Sequence, residues 1–374
     1  MRAVLTVLLV LHGAIHVLGF LRWSALAAVP QLGGRTLLQL SPAGERAFAG
    51  VWLVALLALV AAAALRLGHH ESWWAPAAGG VLLSQLAIVI AWHDARFGTI
   101  ANVLILIPVV AAAAHARFAR QIDGEIDALH ARAQPVAVAR APVEPADLDG
   151  LPPPVARWLE RAGVVGRPRV ATVRLAQRGQ LRTSPGGAWL PARAEQHVSV
   201  DPPAFVWRVD ATMLGLVPVA GRDRYADGRG HMLIKAAALV DVVDAAGPPI
   251  DQGSALRFLA ETVWFPSAAL APYLTWAPID AHRARVTMRD HDLEVSAVFE
   301  FDAEGRVTGM LAQRYQGSGA DARLRPWRAT STAWGRFDGV EVPVAGAVSW
   351  VEDDGDFTYY RWELTELASD EPRR

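Results

Sequence analysis

"RVATVRLAQRGQL", Arg169–Leu181, is the stretch that decides the fold class. Val173, Leu175 and Leu181 fall on one parity, Arg174, Arg178 and Gln180 on the other. A period of two belongs to a strand with one face in a core and one in water. Just upstream, "VARWLERAG" (Val155–Gly163) still carries a helical pattern closed by glycine, so the period changes between Gly163 and Arg169. Alternation returns in "ARVTMR" (Ala284–Arg289), "LEVSAVFEFD" (Leu293–Asp302) and "RVTGMLAQRY" (Arg306–Tyr315). Hairpin turns are expected at "AEGR" with Gly305, at Asp338-Gly339 and inside "VEDDGDFTYYRWELTEL". "RDHDLE" (Arg289–Glu294) reads as a solvated turn between strands. The one long helical pattern is "SALRFLAETVWF", Ser254–Phe265, which Pro266 must end. Leu256, Leu259, Ala260 and Val263 form its apolar stripe. Several hairpins with one or two helices predict an α+β domain: a strongly curved antiparallel sheet with a helix packed on one face.

Working outward to the N-terminus, the pattern is different. Four apolar runs, Ala3–Leu21, Phe48–Leu65, Ala75–Trp92 and Gly98–Ala116, each approach the ~20 residues that cross a ~30 Å hydrocarbon core. Trp23, Trp73, Trp74 and Trp92 sit at run ends, where an indole straddles lipid and water. These predict a four-helix transmembrane part. The first run is read as a retained span rather than a cleaved leader, because no small-x-small site precedes Trp23. His12 and His16 lie four apart on the first run. A zinc-protease motif needs Glu after the first His, and Gly13 stands there. The expected role is hydrogen bonding across helices to Ser84, Gln85 or Asn102, with Gly13 and Gly19 allowing close approach. In "WHDARFGTIAN", Asp94 and Arg96 are expected to pair.

These patterns imply three segments: a transmembrane domain over 1–120, a linker over 121–150 of polar, then Ala- and Pro-rich composition, and an α+β domain over 151–370. Up to Arg140 there are ten arginines against six acids, and beyond it 26 basic against 31 acidic residues. Neither part has the basic excess that nucleic-acid binding requires. There are no cysteines, which removes disulfides and thiolate chemistry. With both termini inside, Arg2, Arg66, Arg117, Arg120, Arg132 and Arg140 face the cytoplasm, and Arg22, Arg35, Arg46 and Arg96 do not. The positive-inside rule thus tilts the C-terminal domain toward the cytoplasm of a multi-pass inner-membrane protein.

The stretches "GRDRYADGRGHMLIK", "LRFLAETVWFP", "LTWAPID" and "FEFDAEGRVTGMLAQRY" resemble an uncharacterised bacterial membrane-protein family of the domain-of-unknown-function type. The resemblance covers about Leu151 to Leu367 and implies no particular activity. The order of strands and helix is more loosely similar to the lipoprotein-carrier (LolA-like) architecture. That likeness implies an incomplete antiparallel barrel holding acyl chains in an apolar cavity.

No catalytic signature emerges. Ser254 and Ser318 lack the G-x-S-x-G context, and no phosphate-binding glycine loop is present. What stands out is aromatic content: Trp189, Trp207, Trp264, Phe265, Tyr273, Trp276, Trp327, Trp334, Trp350, Tyr359, Tyr360 and Trp362. Some are expected to line an apolar cavity, with Arg222, Asp223, Arg257, Glu261 and Arg314 as charges at its mouth. Trp264, beside the helix-ending Pro266, is placed at the rim, and Trp189 is a further candidate ligand contact. The expectation is a membrane-anchored domain that binds or senses a lipid or other lipophilic small molecule, without cofactor or metal. The alternatives are a membrane-associated enzyme acting on an amphipathic substrate, and an assembly partner without a small ligand. Membrane lipids are the expected partners, and the sequence carries no signal of oligomeric state.

Overall fold

The computed structural model describes residues 2–30, 32–137, 141–213, 215 and 217–371. The chain forms two compact units, Met1–Ala119 and Arg120–Arg374.

The first unit contains α1 (Arg2–Trp23), α2 (Pro42–Leu67), α3 (Trp74–Ile90), the short α4 (Trp92–Ala95) and the start of α5 (Gly98–Ala137). Four segments are long and apolar enough to cross a membrane: Ala3–Trp23, Pro42–Leu67, Glu71–Ile90 and Gly98–Ala133. Their outward residues are apolar too, among them Val4, Leu11, Leu57, Leu82 and Ile107. A surface of that kind suits hydrocarbon, not water. Ser41 caps α2 by accepting from Gly44 N at 3.2 Å, and Pro42 follows at the position where a missing N–H costs nothing. Glycines set the helix spacing. A Cβ on Gly19 would stand 2.1 Å from the Trp52 indole, and one on Gly80 2.9 Å from Leu59.

The His12 Nε2–H donates to Asn102 Oδ1 at 2.8 Å and lies 3.2 Å from Ser84 Oγ, so it meets two of its three expected partners. The third, Gln85, accepts from Asn102 Nδ2 at 3.0 Å. His16 Nδ1 donates to the carbonyl of His12 at 2.7 Å. Asp94 departs from expectation. Among the described residues it makes no pair with Arg96; its Oδ2 accepts from Gly34 N at 2.9 Å, while Arg96 lies over Phe97. A loop amide already held in place is a better-ordered partner than a mobile guanidinium at a helix end.

The second unit is a single antiparallel sheet of thirteen strands among the described residues. They are β1 (Thr172–Leu181), β2 (Leu190–Ser199), β3 (Ala204–Met213), β4 (Val217–Ala226), β5 (Arg229–Ala236), β6 (Val240–Ala246) and β7 (Leu274–Pro278), then β8 (Arg283–Asp290), β9 (Leu293–Phe301), β10 (Val307–Gln316), β11 (Arg323–Phe337), β12 (Val340–Trp350) and β13 (Phe357–Ser369). The order is β6-β5-β4-β3-β2-β1-β13-β12-β11-β10-β9-β8-β7. Two meanders therefore meet at the β1–β13 pair, and β6 and β7 are the edges. The chain passes between those edges through α7 (Pro248–Glu261). Strands lie ~4.8 Å apart, so a flat sheet would hold its edges ~58 Å apart, while a helix of this length spans only ~21 Å. With α7 packed against strands of both meanders, the sheet curls. It forms a half-barrel whose inner face carries α7, which touches β4, β5 and β6 from one meander and β9 and β10 from the other. Bulges at Ala176/Gln177, Ser331/Ala333 and Val348/Ser349 supply local bends. Gly346 permits close packing, since a Cβ there would stand 2.1 Å from the Thr330 carbonyl oxygen and 2.4 Å from the Trp362 ring.

α6 (Pro153–Ala162) ends at Gly163 with φ +78°, as its sequence predicts. The turns at Gly305 (φ +86°) and Asp338-Gly339 (φ +46° and +78°) also fall where the sequence places them. The helix read as Ser254–Phe265 starts earlier, because Pro248 and Pro249 suit a first turn, and gives way after Glu261 to a 3-10 turn over Thr262–Trp264.

The stretch read as linker is more ordered than its composition suggests. Residues 121–137 continue α5, and Ile122, Ile126, Leu129 and Ala133 form a buried stripe at i, i+4, i+7, i+11. That stripe is sparse beside Asp123, Glu125, Asp127 and Arg132, so a reading by composition passes over it. Residues 138–140 of the same stretch lie outside the described residues. Val143 then exchanges backbone hydrogen bonds with Gly166 and Arg167, and is buried.

Candidate functional site

The inner face of the half-barrel is built from one parity of each strand. Register puts Gln196 (β2), Trp207 (β3), Asp223 (β4) and Met232 (β5) in one row across it. α7 can lie close to this row because Gly230 has no side chain: a Cβ there would stand 2.5 Å from Ser254 Oγ. Asp251 fastens the helix start by accepting from Gly230 N at 2.8 Å.

Arg257 on α7 reaches into the row. Its Nε donates to Glu261 Oε1, its Nη1 to Asp223 Oδ2 and its Nη2 to Gln196 Oε1, each at 2.8 Å. Gln196 Nε2 donates in turn to Glu261 Oε2. The guanidinium lies over the rings of Phe205 at 4.8 Å and Trp207 at 4.7 Å. Burial works against its charge, but Glu261 and Asp223 outweigh burial and keep Arg257 protonated. One cation thus stands between two carboxylates. Asp223 is 1 % exposed, and its Oδ1 has no hydrogen-bond partner among the described residues. Gln177 Nε2 and Trp207 Nε1 are likewise buried without a partner. The Tyr360 hydroxyl donates to Gln177 Oε1 at 3.2 Å. Its ring fits because Gly179 lies beneath it, where a Cβ would stand 2.5 Å away. Burial raises the Tyr360 pKa, so it remains a donor.

Beyond this polar row the inner face changes. Along β3, Phe205, Trp207 and Val209 are buried, Ala211 is half-buried and Met213 is 38 % exposed. On β4, Val217 and Val219 are half-buried, as are Ile234 and Ala236 on β5 and Leu181 on β1. Register joins these apolar residues, Met213 to Val217, Ala211 to Val219 and Val219 to Ala236. The result is an apolar strip at one end of the inner face, next to a buried charged group.

Of the charges anticipated at a cavity mouth, the structure brings together Asp223, Arg257 and Glu261. Arg222 is the neighbour of Asp223 and so points to the opposite face, where its Nε lies 3.0 Å from Glu125 and its Nη1 donates to the His231 carbonyl at 2.8 Å. Arg314 lies over Trp327 at 4.8 Å, and its Nη1 donates to the Tyr359 hydroxyl at 3.2 Å. Trp189 is held between Arg182 at 4.6 Å and Arg361 at 4.5 Å. Trp264, expected at the rim, is in the core instead. It is 6 % exposed, stacks edge-on to Trp362 at 5.1 Å and donates Nε1–H to the Pro343 carbonyl. Trp264 closes the buried 3-10 turn that follows Glu261. Gln196 and Gln177 were not anticipated. Gln196 shares its parity with Ala192, Ala194 and Val198, and a lone amide in such a run is the signal that marks a buried polar contact.

Residues 141–362 match the Family of unknown function (DUF6544); the match covers more than half of the chain, which belongs to that family. No curated protein matches it. Among solved structures, a domain named for outer-membrane lipoprotein sorting from Vibrio parahaemolyticus is similar at 8 % identity and TM-score 0.31, covering 59 % of this chain and 93 % of the other. A DUF1329 family protein from Desulfovibrio piger is similar at 8 % identity and TM-score 0.34, with 59 % and 94 % covered. A LolA superfamily protein from Nitrosomonas europaea is similar at 10 % identity and TM-score 0.29, with 57 % and 93 % covered.

Proposed function

We propose that this member of the DUF6544 family is anchored by its four apolar helices in the bacterial inner membrane and binds a lipophilic ligand along the strip at the open end of its inner face. One observation carries this reading: the graded exposure of Val209, Ala211 and Met213 along β3, matched by Val217, Val219 and Ile234. Apolar side chains left half-exposed on a concave face gain free energy when an apolar partner displaces water. Asp223, Arg257, Glu261 and Gln196 form the polar stop at the inner end of the strip. Trp189 and Arg314 hold further positions on the same domain and are secondary contact candidates, whereas Arg222 serves the outer face. The arginine distribution between spans supports a cytoplasmic position for the second unit.

Native mass spectrometry of the detergent-extracted chain tests this directly. The expected result is a lipid-sized mass retained at one per chain and lost in Ile234→Asp and Val219→Asp, with the fold kept. No retained mass, or the same mass in both variants, would overturn the reading.

A further inference from the structure

The outer face of the sheet carries a second enclosure, unrelated to the apolar strip. Here the second half of α5 docks on β2, β3, β4 and the turn after β4 through Asp123–Arg208, Glu125–Arg222 and Arg132–Asp227 ion pairs and a His130–His197 hydrogen bond. Between helix and strands lies a pocket of about 260 Å³. Gln121, Gly124, Glu125, Ala128, Leu129 and Arg132 line it from α5, at i, i+3, i+4, i+7, i+8 and i+11, so one helix face forms its roof. Gly124 has no side chain to fill the space.

The polar groups of this pocket do not balance. Arg222 is matched by Glu125 and Arg132 by Asp227. Arg224 also lines the pocket, half-buried, and makes no ion pair or hydrogen bond among the described residues. Its electrostatic neighbours are Asp227, already held by Arg132, and the like-charged Arg222. A half-buried cation left without an anion in an enclosure is the group a carboxylate satisfies. The remaining wall is apolar, with Ala128, Leu129, Ala204 and Val206.

We infer that this pocket binds a short-chain carboxylate, its anionic end taken by Arg224 and its carbons lying against Leu129 and Val206. At ~30 Å³ for each water-sized group, the volume holds roughly eight non-hydrogen atoms, the size of hexanoate. One unmatched positive charge fits a monoanion. Such a carboxylate comes either from a free short acid or from a fatty acid of the bilayer, and the chemistry at Arg224 is the same.

The test is calorimetric titration of the full chain in phosphatidylcholine nanodiscs with hexanoate, hexanol and acetate. Hexanoate should bind at least tenfold more tightly than either hexanol, which lacks the charge, or acetate, which lacks the chain. Arg224→Gln should weaken hexanoate at least tenfold, and Arg224→Lys should weaken it less. Ile234→Asp on the inner face should leave it unchanged, which separates this site from the lipid-binding strip. Oleate added to the nanodiscs displaces hexanoate if a bilayer acid is the occupant and leaves it bound if a free acid is. No hexanoate binding, equal binding of hexanol, or unchanged affinity in folded Arg224→Gln would overturn the inference.

Discussion

Among the described residues the buried polar side chains of the helical unit are two imidazoles, a hydroxyl and an amide, His12, His16, Ser84 and Asn102, with the half-buried Gln85 joined to Asn102. In the sheet unit the polar group on the inner face holds a guanidinium and two carboxylates, Arg257, Asp223 and Glu261, closed by Gln196. The difference follows from what surrounds each group. The helices expose leucine, valine and isoleucine outward, so a charge between them would have no water within reach, and uncharged donors and acceptors cost less to bury. On the inner face of the half-barrel the cation spends three donor positions on three fixed acceptors. Charge is tolerated where geometry satisfies it.

Substitutions and a change of pH probe that contrast. Arg257→Ala should have the largest effect, because it leaves two buried carboxylates without a cation. We expect a loss of ~3–5 kcal/mol in denaturant titration. Replacing Arg257, Asp223 and Glu261 together by Met, Leu and Leu should recover most of it, and failure to recover would show that the group does more than compensate itself. Trp264→Ala removes a core indole from its stack on Trp362, and the melting temperature should report a loss of similar size, ~3–5 kcal/mol. A far smaller loss would return Trp264 to the rim.

In the helical unit the steric term should exceed the polar one. Gly19→Leu drives carbon into the Trp52 indole and should lower stability by ~1–3 kcal/mol, read as a fall in melting temperature in detergent. His12→Ala should cost less, ~1 kcal/mol, since interhelical hydrogen bonds in membranes are individually weak.

The smallest effect is that of pH on the outer face. The hydrogen bond from His197, aided by Arg208 and opposed by burial, lowers the Glu195 pKa to about 2. A depressed acid stabilises the fold fully above its unfolded value of 4.5 and loses that contribution as pH falls toward 2. Wild type and Glu195→Gln should therefore differ by ~1 kcal/mol at pH 6 and converge by pH 2. A difference that persists at pH 2 would assign the effect to packing.

Local pattern determined much of this protein in advance. Periods of two in Arg169–Leu181 and Leu293–Asp302, turns at Gly305 and Asp338-Gly339, and apolar runs of spanning length each depend on residues near in sequence. They are therefore legible without a partner. The His12 partners were legible for a related reason, since few polar residues occur in the apolar runs.

Tertiary structure decided the rest. Arg222 and Asp223 are adjacent and alike in the sequence, yet the pleat sends one to Glu125 and the other to Arg257. Gln196 meets an arginine 61 positions away, and Glu125 one still farther. Which parity faces inward is set only when the sheet curls around α7, because the curl selects the face that loses its water. The docking of α5 beyond Arg120 has the same origin. Four apolar residues among charges are too few to announce a buried helix, and they become one because the outer face offers Val206 with matching ions around it.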